Sequence, residues 1–448
     1  MYTATILAQH IRDIALGTRP AAADERALAC ILDCLAAAVC GFSANGPSAA
    51  RLSSPRLFGS GTAVIWMSGH TAAPVAALLC NANAASALDI DDGHRAARGH
   101  PGACVIPTVL TLAGGLTLSG ADLLSAIVAG YDIGVRIAAS QNPDGISTRQ
   151  SGRWAAFAAV AAAGSLLRAK PAALAHALAI AGVLAPNQQA NGSSGYSALT
   201  GNDVKEGIAW SAATGLTALH LAMNGHSGPV DLFDHLRFYD RNRILDRLGD
   251  HFEIVDTYFK PYACCRYIHA PLDAFLDLIA AHNVVADEIV AVTVNTFGWM
   301  LKLSNTTAPD NLVDIQYSLP YCLAIAAIDG PDALAPVDVQ SVGRLDLKRF
   351  AEKVAIHVDS DLDQLFPADT LASVSIDTNR GRFQSSVTSP RGDPKRPLTF
   401  QGLERKFRQV TRDVISTCDQ QCLVDSVLRL RSDDGVSLLQ VLTALRPR

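Results

Sequence analysis

Apolar residues recur at helical spacing in six segments of the first half of the chain, and this pattern constrains the fold most strongly. The apolar side chains stand at positions i, i+3 and i+4, and short Gly, Pro, Ser and Asn clusters separate the segments. Several segments are rich in small residues and apolar on nearly every face, which favours closely packed helices in a buried bundle. The predicted helices are Ala27–Val39, Ala72–Leu88, Gly120–Ala139, Trp154–Leu167, Pro171–Leu184 and Gly207–Met223.

The pattern changes after Tyr258. A helix is still predicted over Ile268–Ala281, but Glu288–Phe297 alternates apolar and polar residues and is rich in β-branched side chains, which predicts a strand. Two more runs, Ser373–Asp377 and Arg382–Thr388, flank a turn-forming Thr-Asn-Arg-Gly sequence and predict a β-hairpin.

Helical periodicity returns in the last fifty residues, where Thr399 is the expected N-cap of a helix that continues through Phe407.

The chain has 448 residues, which is more than one ordinary core accommodates. We therefore predict a mostly α fold with two domains. A large all-helical domain is formed by residues 1–255 and 394–448, so that the C-terminal segment packs back on the first half, and a smaller α+β domain covers residues 256–393.

Charge and hydropathy exclude several classes of function. The net charge of -5 leaves no basic excess with which to bind nucleic acid. No segment reaches the roughly 18 uninterrupted apolar residues of a membrane span, so we expect no membrane partner. The ten cysteines are scattered, and Arg12 and Asp13 stand where a signal peptide needs an apolar core. A reducing cytoplasmic location is the prediction.

The densest group of ionisable residues directly follows the predicted helix that ends near Leu88. Burying so many of these groups unpaired is costly, so the segment is either a solvated loop or an organised site. Asp and His can bind Zn or Mn, but the chain lacks HExxH and zinc-ribbon cysteine pairs, and we expect no metal. The preferred role for Asp89 or Asp92 is to orient a histidine or to keep a lysine charged. The group comprises Asp89, Asp91, Asp92, His94, Arg95, Arg98 and His100.

A second ionisable group lies at the junction of the two predicted domains, where clefts commonly bind ligands. Lys260 and Arg266 could bind carboxylates, the arginine through a bidentate fork and the lysine as a point charge. The alternative is that Arg266 and His269 only cap and pair the start of a helix. Lys205 lies just before another predicted helix and, considered alone, is typical of an exposed first-turn lysine.

Taken together, four segments resemble the MmgE/PrpD family. They are ALDIDDGHRAARGHPGACVIPTVLTLA, GADLLSAIVAGYDIGVRIA, KPYACCRYIHAPLDA and LVDIQYSLPYCLAIA, and the late segment GDPKRPLTFQGLERKF is similar to the family's closing pattern. The resemblance spans most of the chain in the family's order. It implies a large helical domain built from both chain ends, an α+β lid, a homodimer, no metal or organic cofactor, and a small polycarboxylate as substrate.

The resemblance also assigns roles to individual residues. It places the family's acidic position on Asp89, its histidine on His100 and its two lysines on Lys205 and Lys260. The lysines and Arg266 would bind carboxylates and stabilise negative charge, while His100 would move a proton at the carbon beside a carboxylate. The remaining expected participants are Tyr262 as a second proton-transfer group, and His94, Asp92, His269 and Arg149 in substrate binding.

Two departures from the family pattern bear on the reaction. Members that eliminate water or carbon dioxide often have Thr after the paired aspartates and a His-Pro-Thr-like stretch before the Ala-rich helix. Here Gly93 takes the first place, and Arg149-Gln150-Ser151 takes the second. Arg149 binds carboxylates but is not a general acid at neutral pH. We therefore expect an epimerase resembling iminodisuccinate epimerase, with a hydro-lyase of the 2-methylcitrate dehydratase type, or a related decarboxylase, as the alternative.

Overall fold

The computed structural model describes residues 1–17, 19–148, 150–187, 203–432 and 434–448. Within these ranges most of the ordered backbone is α-helical, and the strands are short. The first group of helices is α1 (Thr3–Leu16), α2 (Ala21–Gly41), α3 (Asn45–Phe58), α4 (Pro74–Ser86), α5 (Gly102–Ala113), α6 (Gly120–Ser140), α7 (Ser151–Leu166), α8 (Pro171–Leu184), α9 (Ile208–Met223) and α10 (Arg241–Leu245). The later helices are α11 (Arg266–His282), α12 (Leu312–Gln316), α13 (Leu319–Ile328), α14 (Leu345–Ala351), α15 (Ser360–Leu365), α16 (Phe400–Thr411), α17 (Thr417–Arg429) and α18 (Val436–Ala444). The strands are β1 (Ala63–Ile65), β2 (His70–Ala72), β3 (Gly93–His94), β4 (Thr257–Tyr258), β5 (Ile289–Thr296), β6 (Val354–Val358), β7 (Ala372–Thr378) and β8 (Gly381–Gln384).

The six helices predicted in the first half are confirmed, and their small residues explain how they pack. Helix α7 is buried along its whole length and packs against α6, α8 and α9. A Cβ atom on Gly134 of α6 would lie 2.6 Å from the Cβ of Ala158 in α7. Alanine and glycine at these contacts let the helix axes approach more closely than larger side chains would allow. The result is a rigid bundle whose interior is closely packed.

The C-terminal helices pack on the same bundle. Helix α16 lies against α2, and α17 also contacts α2. The predicted N-cap is confirmed, because the hydroxyl of Thr399 accepts a hydrogen bond from the backbone N–H of Gly402 at 3.1 Å. The helix continues to Thr411, four residues beyond the predicted stretch. Both ends of the chain therefore contribute to one helical layer.

The α+β part contains a four-stranded sheet in the order β6-β5-β7-β8. Strand β5 pairs parallel with β6 and antiparallel with β7, and β7 and β8 form the predicted hairpin. Helix α11 packs against β7. The prediction missed β6, a five-residue edge strand whose side chains are only half-buried or exposed. Together these elements confirm a mostly α fold with an α+β part, while the exact domain boundaries stay a prediction.

A two-residue pairing joins the two parts of the chain beside the ionisable segments. Strand β3 pairs antiparallel with β4, so that Gly93 lies opposite Tyr258 and His94 lies opposite Thr257. The sequence did not predict either strand, because two residues are too few to show a periodicity. This pairing brings the segment after α4 next to the segment that leads into α11.

Helix α6 is long and apolar enough to cross a membrane by length and composition alone, and α2 with α3 would pass the same test as one span bent by 90°. In α6, 94% of the most apolar window is buried inside the protein. Its apolar residues are covered by neighbouring helices, which is the environment of a core helix.

Substitution of Gly215 in α9 tests the close packing of the bundle. A Cβ atom there would lie 2.3 Å from the backbone oxygen of Ala156, so Gly215→Ala should lower the free energy of unfolding by about 1–3 kcal/mol. The matched control is Gly402→Ala in α16, where the nearest atom would lie 3.5 Å away. That control should be neutral or stabilise by about 0.5–1 kcal/mol. Equal denaturation midpoints for both variants would contradict the packing argument.

Candidate active site

The segment between α4 and α5 carries the first group of ionisable residues and is largely buried. Asp89 has a positive φ of 55°, which turns the chain sharply after α4. Asp89, Asp91 and Asp92 are each at most 2% exposed. Of the two readings that the sequence left open, the structure therefore favours an organised site over a solvated loop.

The carboxylate of Asp89 is surrounded by three basic side chains from three different segments. Its Oδ2 lies 3.2 Å from Nζ of Lys260, and its Oδ1 lies 3.5 Å from Nζ of Lys205 and 3.7 Å from Nε2 of His100. The ammonium group of Lys260 also donates a hydrogen bond to the backbone oxygen of Asp89 at 2.9 Å. The structure thus brings four of the predicted site residues together.

The opposite charges in this cluster keep Asp89 and Lys260 ionised. Burial by itself would raise the pKa of the Asp89 carboxyl, but the charges of Lys205 and Lys260 outweigh burial and hold the pKa well below its ordinary value. Burial would likewise lower the pKa of the Lys260 ammonium, but the carboxylates of Asp89 and Asp91 raise the pKa above its ordinary value. Asp89 is therefore an anion and Lys260 a cation at neutral pH.

His100 is fixed at its backbone and at one ring nitrogen. Its backbone N–H donates to the hydroxyl of Ser151 at 3.0 Å, and its Nδ1 lies 2.9 Å from the backbone oxygen of Asp92. A proton on Nδ1 satisfies that carbonyl, which leaves Nε2, the nitrogen facing Asp89, to exchange protons. Burial and the Lys260 charge lower the pKa of the imidazole, but Asp91 and Asp89 outweigh them, so the pKa is raised. His100 is suited to act as a proton donor near neutral pH.

Lys205 reaches the cluster from a strained turn before α9. Lys205, Glu206 and Gly207 all have positive φ, and the Glu206 carboxylate accepts a hydrogen bond from the backbone N–H of Ser151 at 2.9 Å. The ammonium group of Lys205 donates to Oε1 of Gln316 at 2.9 Å and is only 7% exposed as a residue. The reading of Lys205 as an exposed first-turn lysine is therefore wrong.

Asp92 has a different environment from Asp89, although both are buried. Its Oδ1 accepts from the backbone N–H of Gly102 at 2.9 Å, and its Oδ2 accepts from the hydroxyl of Tyr131 at 2.5 Å. Burial and the nearby carboxylates of Asp33 and Asp91 raise the pKa of Asp92 to about 7. Its contacts anchor the start of α5, so its predicted part in substrate binding stays a prediction.

A buried ion pair holds the segment between α4 and α5 in place. The ammonium group of Lys406 in α16 donates to Oδ1 of Asp33 at 2.5 Å and to the backbone oxygen of Ile90 at 2.7 Å. Sequence reasoning missed this pair. The available signal was a lysine on the apolar face of α16, between Leu403 and Phe407, where an uncharged side chain is expected.

The second ionisable group is divided between the cluster and other contacts. The hydroxyl of Tyr262 donates to Asp273 at 3.0 Å and accepts from Arg391 at 2.8 Å, so it is engaged away from Asp89. Arg266 forms an ion pair with Asp393 at 2.5 Å, and its guanidinium group lies over the ring of Tyr258. Lys260 is thus the member of this group that contacts Asp89.

The remaining predicted site residues lie around the cluster. Nε2 of His269 is 3.2 Å from the backbone oxygen of Cys264, and burial lowers the pKa of this imidazole well below its ordinary value. Nε2 of His94 is 3.0 Å from the backbone oxygen of Glu253, and burial again lowers the pKa. Both imidazoles are neutral, and in both, Nδ1 is buried without a hydrogen-bond partner among the described residues. Arg149 lies outside the described residues.

The cluster includes Gln316, which sequence reasoning did not select, and Asp91, which belonged to the first ionisable group but was given no role. Gln316 binds Lys205, and Oδ2 of Asp91 lies 3.3 Å from Nδ1 of His100. Both belong to segments that resemble the family, but only the three-dimensional contacts show that they touch His100 and Lys205.

The pH dependence of stability tests the environment of Asp92. Its pKa is about 7 in the folded protein and 3.8 as an ordinary value, so between about pH 4 and 7 the unfolded chain releases this proton while the folded protein retains it. Ionisation therefore favours unfolding, and the free energy of unfolding should fall across this range relative to an Asp92→Asn variant. Asp413→Asn at an exposed site is the control and should follow the wild type. Parallel pH profiles for wild type and Asp92→Asn would refute the assignment.

Comparison with known proteins identifies the family of this chain. The MmgE/PrpD N-terminal domain model matches residues 5–241, and the MmgE/PrpD C-terminal domain model matches residues 262–432. Cis-aconitate decarboxylase of Aspergillus terreus (strain NIH 2624 / FGSC A1156) is 25% identical over a 421-residue alignment that covers 84% of this chain and 82% of that protein. The cis-aconitate decarboxylase-like protein oryM of Aspergillus oryzae (strain ATCC 42149 / RIB 40) is 23% identical over a 409-residue alignment that covers 82% of each chain. Since the two domain models together span most of its length, the chain belongs to the MmgE/PrpD family.

Proposed function

We propose that this protein is an acid–base enzyme that acts on a small polycarboxylate at a carbon beside a carboxylate, and that it is a lyase. The observation that carries the proposal is the meeting of His100, Lys205 and Lys260 around the carboxylate of Asp89. Buried ammonium groups beside a proton-transfer imidazole form an arrangement suited to a carbon acid.

The cluster assigns a different task to each basic group. Breaking a C–H bond, or a C–C bond with loss of carbon dioxide, leaves an electron pair that delocalises into the neighbouring carboxylate. Lys205 and Lys260 stabilise this negative charge, since both ammonium groups are preorganised in a nearly water-free environment. Nε2 of His100 accepts the proton or returns it to carbon. Asp89 keeps the three basic groups oriented and offsets their mutual repulsion.

Two considerations favour a lyase. The similar proteins from Aspergillus terreus bear the name cis-aconitate decarboxylase, which denotes a lyase acting on a tricarboxylate. In addition, the charge on Lys260 is stabilised by Asp89, so this lysine is a poor base at neutral pH. An arrangement with one proton-transfer histidine and fixed cations suits decarboxylation, which needs one proton delivered to carbon, better than a two-base reaction.

The epimerase that the sequence led us to expect is the second candidate, and Gly93 favours it. An epimerase needs no acid for a leaving group, so it has no use for the Thr that often follows the paired aspartates in eliminating members. It does need proton-transfer groups on both faces of the carbon. The hydroxyl of Tyr262, the expected second group, is already bonded to Asp273 and Arg391, which counts against the epimerase.

The homodimer and the cytoplasmic location expected from the sequence remain predictions.

The substitutions His100→Asn and Lys260→Met test the roles of these residues. Each removes a proton-transfer or charge-stabilising group, and kcat should fall by roughly 10²- to 10⁴-fold. The controls His220→Asn and Lys302→Met alter exposed residues outside the cluster and should retain wild-type turnover. Near-normal kcat in both site variants, with folding verified by circular dichroism, would exclude the proposed function.

The reaction class is tested in heavy water with a panel that contains cis-aconitate, citrate, 2-methylcitrate and iminodisuccinate. A lyase should release carbon dioxide, or form or consume an alkene seen by its ultraviolet absorbance, with solvent deuterium at the protonated carbon. An epimerase would exchange and invert without elimination. Turnover of none of these polycarboxylates by either route would count against the proposal.

The Asp89, Asp91 and His100 ligand atoms lie within 4.8 Å of one another, which raises the question of a metal. Two ammonium groups already lie 3.2 Å and 3.5 Å from the Asp89 oxygens, and they would repel a divalent cation bound there. We therefore expect activity to survive exhaustive dialysis against EDTA. Loss of activity that only added metal restores would show that the aspartates bind an ion.

A further inference from the structure

Two hydrogen-bond donors next to the candidate active site are unused. The residue Tyr258 in β4 is 6% exposed, and its hydroxyl makes no hydrogen bond to any of the described residues. Nε of Arg266 is buried and has no hydrogen-bond partner among the described residues either. The guanidinium carbon of Arg266 lies 4.6 Å from the centre of the Tyr258 ring, so the two side chains are neighbours. A buried donor without a partner is costly, so the Arg266 Nε–H, with the Tyr258 side chain beside it, points to an acceptor on a ligand.

The surroundings of Tyr258 define the kind of ligand. Burial raises the pKa of the Tyr258 phenol to about 12, so the hydroxyl keeps its proton and acts as a donor. The cationic side chains of Lys260, Arg266 and Arg95 act on this phenol, opposed by the carboxylate of Asp393. Asp393 pairs with both arginines and so fixes the orientation of the Arg266 guanidinium group. Donors in a cationic environment favour an anion with acceptor atoms, and a carboxylate fits both conditions.

Gly93 allows Tyr258 to take this position. A Cβ atom on Gly93 would lie 2.3 Å from the hydroxyl oxygen of Tyr258 and 2.4 Å from the adjoining ring carbon. Any larger residue at position 93, including Thr, would displace the phenol. The glycine that departs from the family pattern at position 93 is therefore what allows the Tyr258 ring to lie here.

We propose that the Tyr258 hydroxyl and the Arg266 Nε–H form a subsite for a second carboxylate of the substrate, with Gly93 providing the space for the phenol. The ligand class rests on the proposed function, whereas the two unused donors do not. Lys205 and Lys260 bind one carboxylate beside the reacting carbon, and the Tyr258 subsite binds another. This division explains how the site selects a polycarboxylate over a monocarboxylate.

The test is the binding of tricarballylate, a saturated tricarboxylate, measured by titration calorimetry with wild type and Tyr258→Phe. Loss of one hydrogen bond to a charged group should raise Kd roughly tenfold or more. The thermal midpoint without ligand should stay unchanged, since the hydroxyl bonds nothing in the free protein. The control is Tyr321→Phe, where the lost hydroxyl donates to the backbone oxygen of Ser341 at 2.6 Å. That variant should lose thermal stability and keep the wild-type Kd.

The possible results distinguish failure of the subsite from failure of the proposed function. An unchanged Kd in Tyr258→Phe, or no measurable binding of tricarballylate to wild type, overturns the subsite. A raised Kd together with no turnover of the polycarboxylate panel keeps the subsite and rejects the proposed reaction. A lowered thermal midpoint in ligand-free Tyr258→Phe overturns the premise that the hydroxyl is unused.

Discussion

The carboxylate of Asp89 is the interaction on which the site depends. It is the anion shared by Lys205, Lys260 and His100, which come from three distant segments of the chain. Two ammonium groups buried without a partner would each cost several kcal/mol. Because one carboxylate offsets both charges, the same contacts that reduce this cost also assemble the groups needed for chemistry at a carbon acid.

The rest of the structure holds Asp89 in place. Small residues let α6, α7 and α9 form a tightly packed frame, and Lys406 from α16 binds the segment after Asp89 through the backbone oxygen of Ile90. The pairing of β3 with β4 brings the approach to Lys260 alongside the same segment. Helical packing, a buried ion pair and a two-residue ladder thus converge on one loop. Precise placement of this kind is what a preorganised site requires.

Long segments were predictable, because the spacing of apolar residues along the sequence indicates an element directly. This holds for helices α2, α6, α8 and α9 and for strand β5. The short elements were not, because β3, β4 and the edge strand β6 have too few buried residues to show a period. Motif resemblance located Asp89, His100, Lys205 and Lys260 correctly as neighbours. It could not reveal that Lys205 is buried against Gln316 or that the Tyr262 hydroxyl is bonded elsewhere, because those contacts join residues far apart in the chain.

The most direct measurement of the central interaction is the titration of Lys260 in wild type and in an Asp89→Asn variant, followed by NMR of lysine labelled with ¹³C at Cε. The pairing with Asp89 predicts that the wild-type Lys260 signal does not titrate below roughly pH 10.4, the ordinary lysine value. In the variant, burial is less opposed, and the signal should titrate at clearly lower pH. Identical titration of Lys260 in the two proteins would contradict the view that Asp89 holds this cluster together.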